Sequence, residues 1–239
     1  MFGGGKRMME LCKDKWLIDN AIPDDIKADN ISNLNPVLNE LTPLYLIWKH
    51  PDLLPPNTQH IGLCHYRRFF NKQFINKHID EADGIVVNPI ALSIASIPCT
   101  LKKQYAICHY EHDFEVLKDI IIETNLFDDE AYSKWCNLQC LFAPCNMFVL
   151  NRITFNMYCK DLFNVALKLP YRIKVDGYDD YQKRACSFLC ERFTSYWMYT
   201  QCLRNRISLI GTNVEAYLDW KPKDSGDGRG SYAGVFKGD

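Results

Sequence analysis

The densest chemistry in the sequence is His65-Tyr66-Arg67-Arg68, which directly follows the apolar stretch His60–Cys64. Two adjacent guanidiniums and an imidazole at the end of a strand suit an anionic ligand. Each planar fork of N–H donors matches phosphate oxygens and keeps its charge when partly desolvated. The competing reading pairs one arginine with a structural carboxylate and leaves the other solvated. Glu191-Arg192 follows a second apolar run, Cys186–Cys190. A carboxylate facing a cleft there can take the proton of an attacking hydroxyl; otherwise a helical Glu beside Arg is a surface ion pair. Asp29-Asn30-Ile31-Ser32, with Asn33 and Asn35, offers a polar loop for ribose or sugar hydroxyls. The same residue types also make turns and helix caps.

Metal chemistry has weaker support. Cys108-His109 with His112 forms a Cys-His-x-x-His string, and Cys136/Cys140 and Cys186/Cys190 stand one helical turn apart. None has the paired Cys-x-x-Cys spacing of a structural zinc module, so these cysteines read as small buried hydrophobes. An Asp-x-Asp pair at a strand end is missing, and Asp176-Gly177-Tyr178-Asp179-Asp180 reads as a solvated turn. No cofactor is expected, and Mn²⁺ or Mg²⁺ would have to bind without that aspartate anchor. Gly3-Gly4-Gly5-Lys6 lacks the second glycine spacing and the Ser/Thr of a phosphate loop, and Gly-x-Ser-x-Gly does not occur.

Short apolar strands alternating with amphipathic helices must position these groups. Asn35-Pro36 reads as an N-cap with Pro at the first helical position, ahead of Val37, Leu38, Leu41, Leu44, Tyr45 and Trp48 at helical spacing. Pro43 either kinks that helix or restarts it with Thr42 as cap. His60–Cys64 and Gly84–Asn88 read as buried strands, Phe142–Leu150 contains another, and Ile207–Ile210 is a last one. Asp113 is a candidate cap for a helix with Phe114, Leu117, Ile120 and Ile121 on its face. Phe155 to Leu169 reads as one long helix, and Asp179 to about Leu203 as another. Such alternation predicts an α/β sheet covered on both faces, with ligands beyond the strands' carboxyl ends.

Composition narrows the class further. The chain has 239 residues, with 28 Lys+Arg against 29 Asp+Glu. Near-zero net charge argues against nucleic-acid binding by bulk electrostatics. No apolar run approaches the roughly 20 residues that span a bilayer, and Met1–Lys15 lacks the apolar core of a signal peptide. Eleven cysteines without such a signal point to reduced thiols in a cytoplasmic compartment.

Three segments, taken together, resemble a known family. They are Asp29-Asn30-Ile31-Ser32 through Asn39-Glu40-Leu41-Thr42-Pro43-Leu44-Tyr45-Leu46-Ile47-Trp48-Lys49, then His60 through Phe70, and Cys145-Asn146-Met147-Phe148-Val149 with Ser187 through Phe193. Their order and spacing resemble a bacterial glycosyltransferase family from capsular and exopolysaccharide gene clusters, long catalogued as a domain of unknown function. The resemblance covers about residues 28–200. It implies a GT-A-like, Rossmann-like mixed sheet flanked by helices in a single domain. It also implies transfer of a sugar, galactofuranose or another hexose, from a nucleotide donor, UDP-linked, to a polysaccharide or lipid-linked glycan. The alternative is a non-catalytic relative that binds nucleotide or glycan. Membrane contact would be peripheral, at the inner face. Arg67 and Arg68 would neutralise the departing diphosphate, with Glu191 as base. Asp29, Asn30, Glu40, His65, Tyr66, Asn146 and Arg192 would bind donor or acceptor. The sequence departs from the family at residues 1–27, an atypical arm without the usual apolar first strand. Residues 28–215 would form the domain and 216–239 a flexible tail.

Overall fold

A computed structural model describes residues 2–3, 22–64 and 68–216. Its central sheet has four strands: β1 (His60–Leu63), β2 (Gly84–Val87), β3 (Phe148–Asn151) and β4 (Leu209–Thr212). They stand in the order β4-β2-β3-β1. β4 is parallel to β2, whereas β3 is antiparallel to both β2 and β1. This is the mixed sheet flanked by helices that the family resemblance implies. β2 is buried along its whole length, as its unbroken Gly-Ile-Val-Val run requires of a strand covered on both faces. Glycine starts it because a Cβ at Gly84 would stand 2.8 Å from the Val149 carbonyl and overlap the Leu150 side chain.

Nine helices are described: α1 (Asn35–Leu38), α2 (Leu41–Lys49), α3 (Lys72–His78), α4 (Leu101–Cys108), α5 (Glu111–Glu123), α6 (Asp129–Cys136), α7 (Arg152–Ala166), α8 (Leu169–Arg172) and α9 (Ala185–Leu203). The two sheet faces are unequally covered. Ile61, Val86, Phe148 and Leu150 join one large core with the helices. Val87 and Met147 form a small second cluster with Phe70, against which Ile75 of α3, Val149 and Val214 pack. Phe70 and Val214 belong to the antiparallel ribbon Arg68–Phe70/Val214–Ala216.

α9 is the centre of the large core. It packs on α1, α5, α6 and α7, and its sequence is apolar around most of its circumference, as such a position demands. Several of the polar groups it buries are bonded. Ser195 Oγ accepts from the Trp135 indole at 3.0 Å, and the Trp197 indole donates to Asp161 at 2.8 Å. A made hydrogen bond adds about 1 kcal/mol, while a buried group left without one costs about 1–3 kcal/mol.

Several expected boundaries move. Asn35 is not an N-cap: a 3₁₀ turn, Ser32–Leu34, runs directly into α1. The restart lies at Asn39, whose φ of 48° and ψ of −120° leave the helical region, and Glu40 rather than Thr42 is the residue before α2. Pro43 falls in the first turn of α2, where its missing N–H has no helical partner to lose. Thr42 instead donates to the buried carboxylate of Asp24, which also accepts from Ser32. Asp113 is not a cap either, since α5 begins at Glu111; its buried carboxylate accepts from the Tyr178 hydroxyl at 2.9 Å. Leu169 begins the separate α8. The last helix starts at Ala185 after a 3₁₀ turn, Gln182–Arg184, and Asp179 accepts from the Tyr181 and Gln182 N–H groups at 3.0 and 2.8 Å.

Candidate functional site

Because β3 runs against its neighbours, its first residue, Phe148, pairs with Leu63 at the end of β1 and with Val86 near the end of β2. The loop before β3 therefore lies at the carboxyl edge of β1 and β2, where open α/β sheets bind ligands. That loop is conformationally costly. Ala143, Cys145 and Asn146 all take left-handed backbone conformations, with φ of 46°, 67° and 52°. Each such non-glycine residue costs on the order of 1–2 kcal/mol, so the surroundings must hold the loop in place.

Four side chains from distant parts of the chain do so. The Cys145 N–H donates to Glu191 Oε1 at 2.6 Å, and the second carboxylate oxygen, Oε2, accepts from Arg192 Nη1 at 2.9 Å. Arg192 is 1% exposed, and its Nη2 donates to Gln104 Oε1 of α4 at 3.0 Å. Asn146 Nδ2 donates to Glu40 Oε1 at 2.8 Å, while Asn146 Oδ1 accepts from the Thr194 hydroxyl at 2.9 Å. Tyr158 lies 2.7 Å from that hydroxyl. Arg68 Nη1 approaches Cys145 Sγ at 3.5 Å, which brings one sequence-predicted arginine to the loop.

The electrostatics favour acid–base work over thiol chemistry. Burial raises the Glu40 carboxyl above the ordinary carboxylate range; the nearby Glu191 charge adds to this, and Asn146 and Arg184 oppose it. Burial, reinforced by Glu191, pushes the Cys145 thiol up to about 11, so it is a protonated thiol at neutral pH. His109, pressed against Tyr105 and Phe188, is depressed to about 4 by burial and is neutral. The ten cysteines among the described residues are all free. Within the same set, no group of three or more His, Cys, Asp or Glu is arranged to hold a metal ion.

Glu40, Asn146, Glu191, Arg192 and Arg68 thus come together. His65, Tyr66 and Arg67 lie outside the described residues. Asp29 and Asn30 are engaged within the Lys27–His50 stretch. Asp29 accepts from the Tyr45 hydroxyl at 3.0 Å, and Asn30 bonds the Lys27 carbonyl and the Ser32 N–H. Gln104 and Thr194 escaped the sequence reading, since a single polar residue within a helix carries no local signal of its partner. Two open concavities lie away from the cluster. One of about 560 Å³ is lined by Lys102, Lys118 and Tyr132, and one of about 450 Å³ by His60, Asp83 and Asn151 at the opposite sheet edge. Among the described residues no helix is long and apolar enough to cross a membrane.

This architecture is that of a solved glycosyltransferase fold. The apo structure of the bifunctional glycosyltransferase WbbM matches with a TM-score of 0.72 at 18% sequence identity, over 83% of this chain and 40% of that one. The protein therefore spans well under half of that chain's length. By sequence it belongs to the family described as a domain of unknown function, DUF4422, whose profile matches residues 9–202. That range begins inside the stretch set apart above as an N-terminal arm. No curated protein matches the sequence.

Proposed function

We propose that the protein is a glycosyltransferase that moves a hexosyl group, galactofuranose among the candidates, from a nucleoside diphosphate, UDP first, to a polysaccharide or lipid-linked glycan. The observation that carries this reading is the fold likeness to a bifunctional glycosyltransferase across 83% of the chain. The site supports it: a half-buried carboxylate pair and the Arg68 guanidinium meet at the carboxyl edge of the sheet. In this reading Arg67 and Arg68 face the diphosphate and stabilise charge as it departs, without a metal. Asn146 and Arg192 shape the acceptor side. The enzyme works from the cytoplasm and meets a lipid-linked acceptor peripherally.

The test is nucleoside-diphosphate release from UDP-, GDP- and dTDP-sugars with glycan acceptors, with and without EDTA. Release from one donor is expected to persist in EDTA and to fall about 10²–10³-fold in Arg68→Ala. Activity lost in EDTA and restored by Mn²⁺ would overturn the metal-free version. Donor binding without turnover would make the protein a non-catalytic relative. Neither binding nor release would overturn the reading altogether.

A further inference from the structure

We infer that Glu40, not Glu191, is the catalytic base of this site, and that Glu191 is a positioning residue that holds the Cys145–Asn146 main chain. The inference rests on the transferase reading above and divides the labour within its carboxylate pair.

Both oxygens of Glu191 are already engaged. Oε1 accepts the Cys145 N–H and Oε2 accepts Arg192, a guanidinium that is itself almost fully buried. Neither oxygen can take a proton from an acceptor hydroxyl without giving up one of these bonds. Protonating Glu191 would also weaken the support of a residue held at φ 67°. Its geometry is that of a brace.

Glu40 is arranged the other way. Its Oε1 accepts from Asn146, and no other residue among those described donates to Oε2. Glu40 can only accept when ionised, so Asn146 turns Nδ2 to it and Oδ1 to the Thr194 hydroxyl. That hydroxyl also stands 2.9 Å from the Cys190 carbonyl and 2.7 Å from the Tyr158 hydroxyl, with which either oxygen can be the donor. Asn146 is thereby fixed, and besides it Glu40 takes a bond only from its own N–H among the described residues. The break at Asn39 places this carboxylate just before α2, where it bonds the first-edge loop of β3. Burial and the neighbouring Glu191 charge both increase its affinity for a proton, as a base requires.

The step balances as follows. The acceptor hydroxyl oxygen forms a bond to the anomeric carbon as the bond from that carbon to the diphosphate oxygen breaks. The electron pair of the broken bond leaves on the nucleoside diphosphate, and the acceptor proton passes to Glu40 Oε2.

The experiment compares wild type with Glu40→Gln, Glu40→Asp and Glu191→Gln, following sugar transfer to acceptor against pH and donor binding by thermal shift. Glu40→Gln is expected to lower kcat about 10²–10⁴-fold with its donor-induced thermal shift retained, and to abolish the acidic limb of the pH profile. Glu40→Asp should restore part of the rate together with that limb. Glu191→Gln should keep the limb and stay within about tenfold of the wild-type rate. Removing the Glu191 charge lowers the Glu40 pKa, so the limb should move to lower pH. An acidic limb that survives in Glu40→Gln but vanishes in Glu191→Gln overturns the assignment while leaving the transferase reading intact. A wild type that releases no nucleoside diphosphate from any donor overturns both. The shift of the limb in Glu191→Gln decides the matter even if Glu40→Gln fails to fold.

Discussion

The Asp29–Asn30 loop and the Ala143–Asn146 loop each end in an asparagine that bonds backbone or side chains, and they differ in how far their hydrogen bonds reach. Asn30 bonds Lys27 and Ser32, three and two residues away. Asn146 bonds Glu40 across 106 residues and Thr194 across 48, while the Cys145 N–H bonds Glu191 across 46. Asp29 of the first loop also bonds Tyr45 and His50, 16 and 21 residues on, so that loop is tied to one neighbourhood of the chain. A turn in an unfavourable backbone conformation, held from α9 and from the residue before α2, exists only in the finished fold and presents what those segments converge on. The first loop is regional structure; the second is the candidate site.

Substitutions at three positions break or sharpen that contrast. Arg192→Leu has the largest expected effect, because it leaves the Glu191 carboxylate beside a buried guanidinium's empty place. A loss of about 4 kcal/mol is expected in urea unfolding, and a loss under about 1 kcal/mol would mean that the brace is dispensable. Asn146→Ala comes next, at about 3 kcal/mol, since it removes two bonds and puts alanine at a left-handed φ. Asn146→Gly tolerates that backbone and should lose only about 2 kcal/mol; equal losses for Ala and Gly would show that strain plays no part. Asn30→Ala should cost about 1 kcal/mol or less, the value of one short-range turn, with donor-induced thermal shift unaffected. Loss of donor binding in that variant would turn the local loop into a ligand site and erase the distinction.

Much of the frame was legible because apolar runs report burial directly. His60–Cys64, Gly84–Asn88 and Ile207–Ile210 overlap three of the four strands, and the GIVV run signalled a strand covered on both faces. Helix starts were less legible. Asn35 and Asp113 are residue types that cap helices, yet the chain used them otherwise: Asn35 Nδ2 braces the break at Asn39 by bonding its carbonyl at 3.1 Å, and Asp113 is buried under Tyr178. Of the site, Arg68, Glu191 and Arg192 were singled out by residue type and position, and Glu40 and Asn146 by resemblance. Their arrangement was not foreseeable, because it depends on contacts between residues many tens of positions apart. Nothing in the local sequence around Glu191 reveals that a backbone N–H of another segment occupies its Oε1.

The placement of Glu191, Arg192, Thr194 and Ser195 on consecutive turns of α9 has a consequence for how this molecule can change. The helix acts as a phase-locked ruler: deleting or adding one residue within it turns everything beyond by about 100°. Such a shift would drive the Thr194 and Ser195 hydroxyls against apolar walls and swing Phe193 or Tyr196 into the polar pocket. Substitutions can be absorbed one at a time, but length changes cannot. Insertions should therefore be accepted in exposed connections such as Asp176–Asp180 and refused anywhere between Ala185 and Leu203.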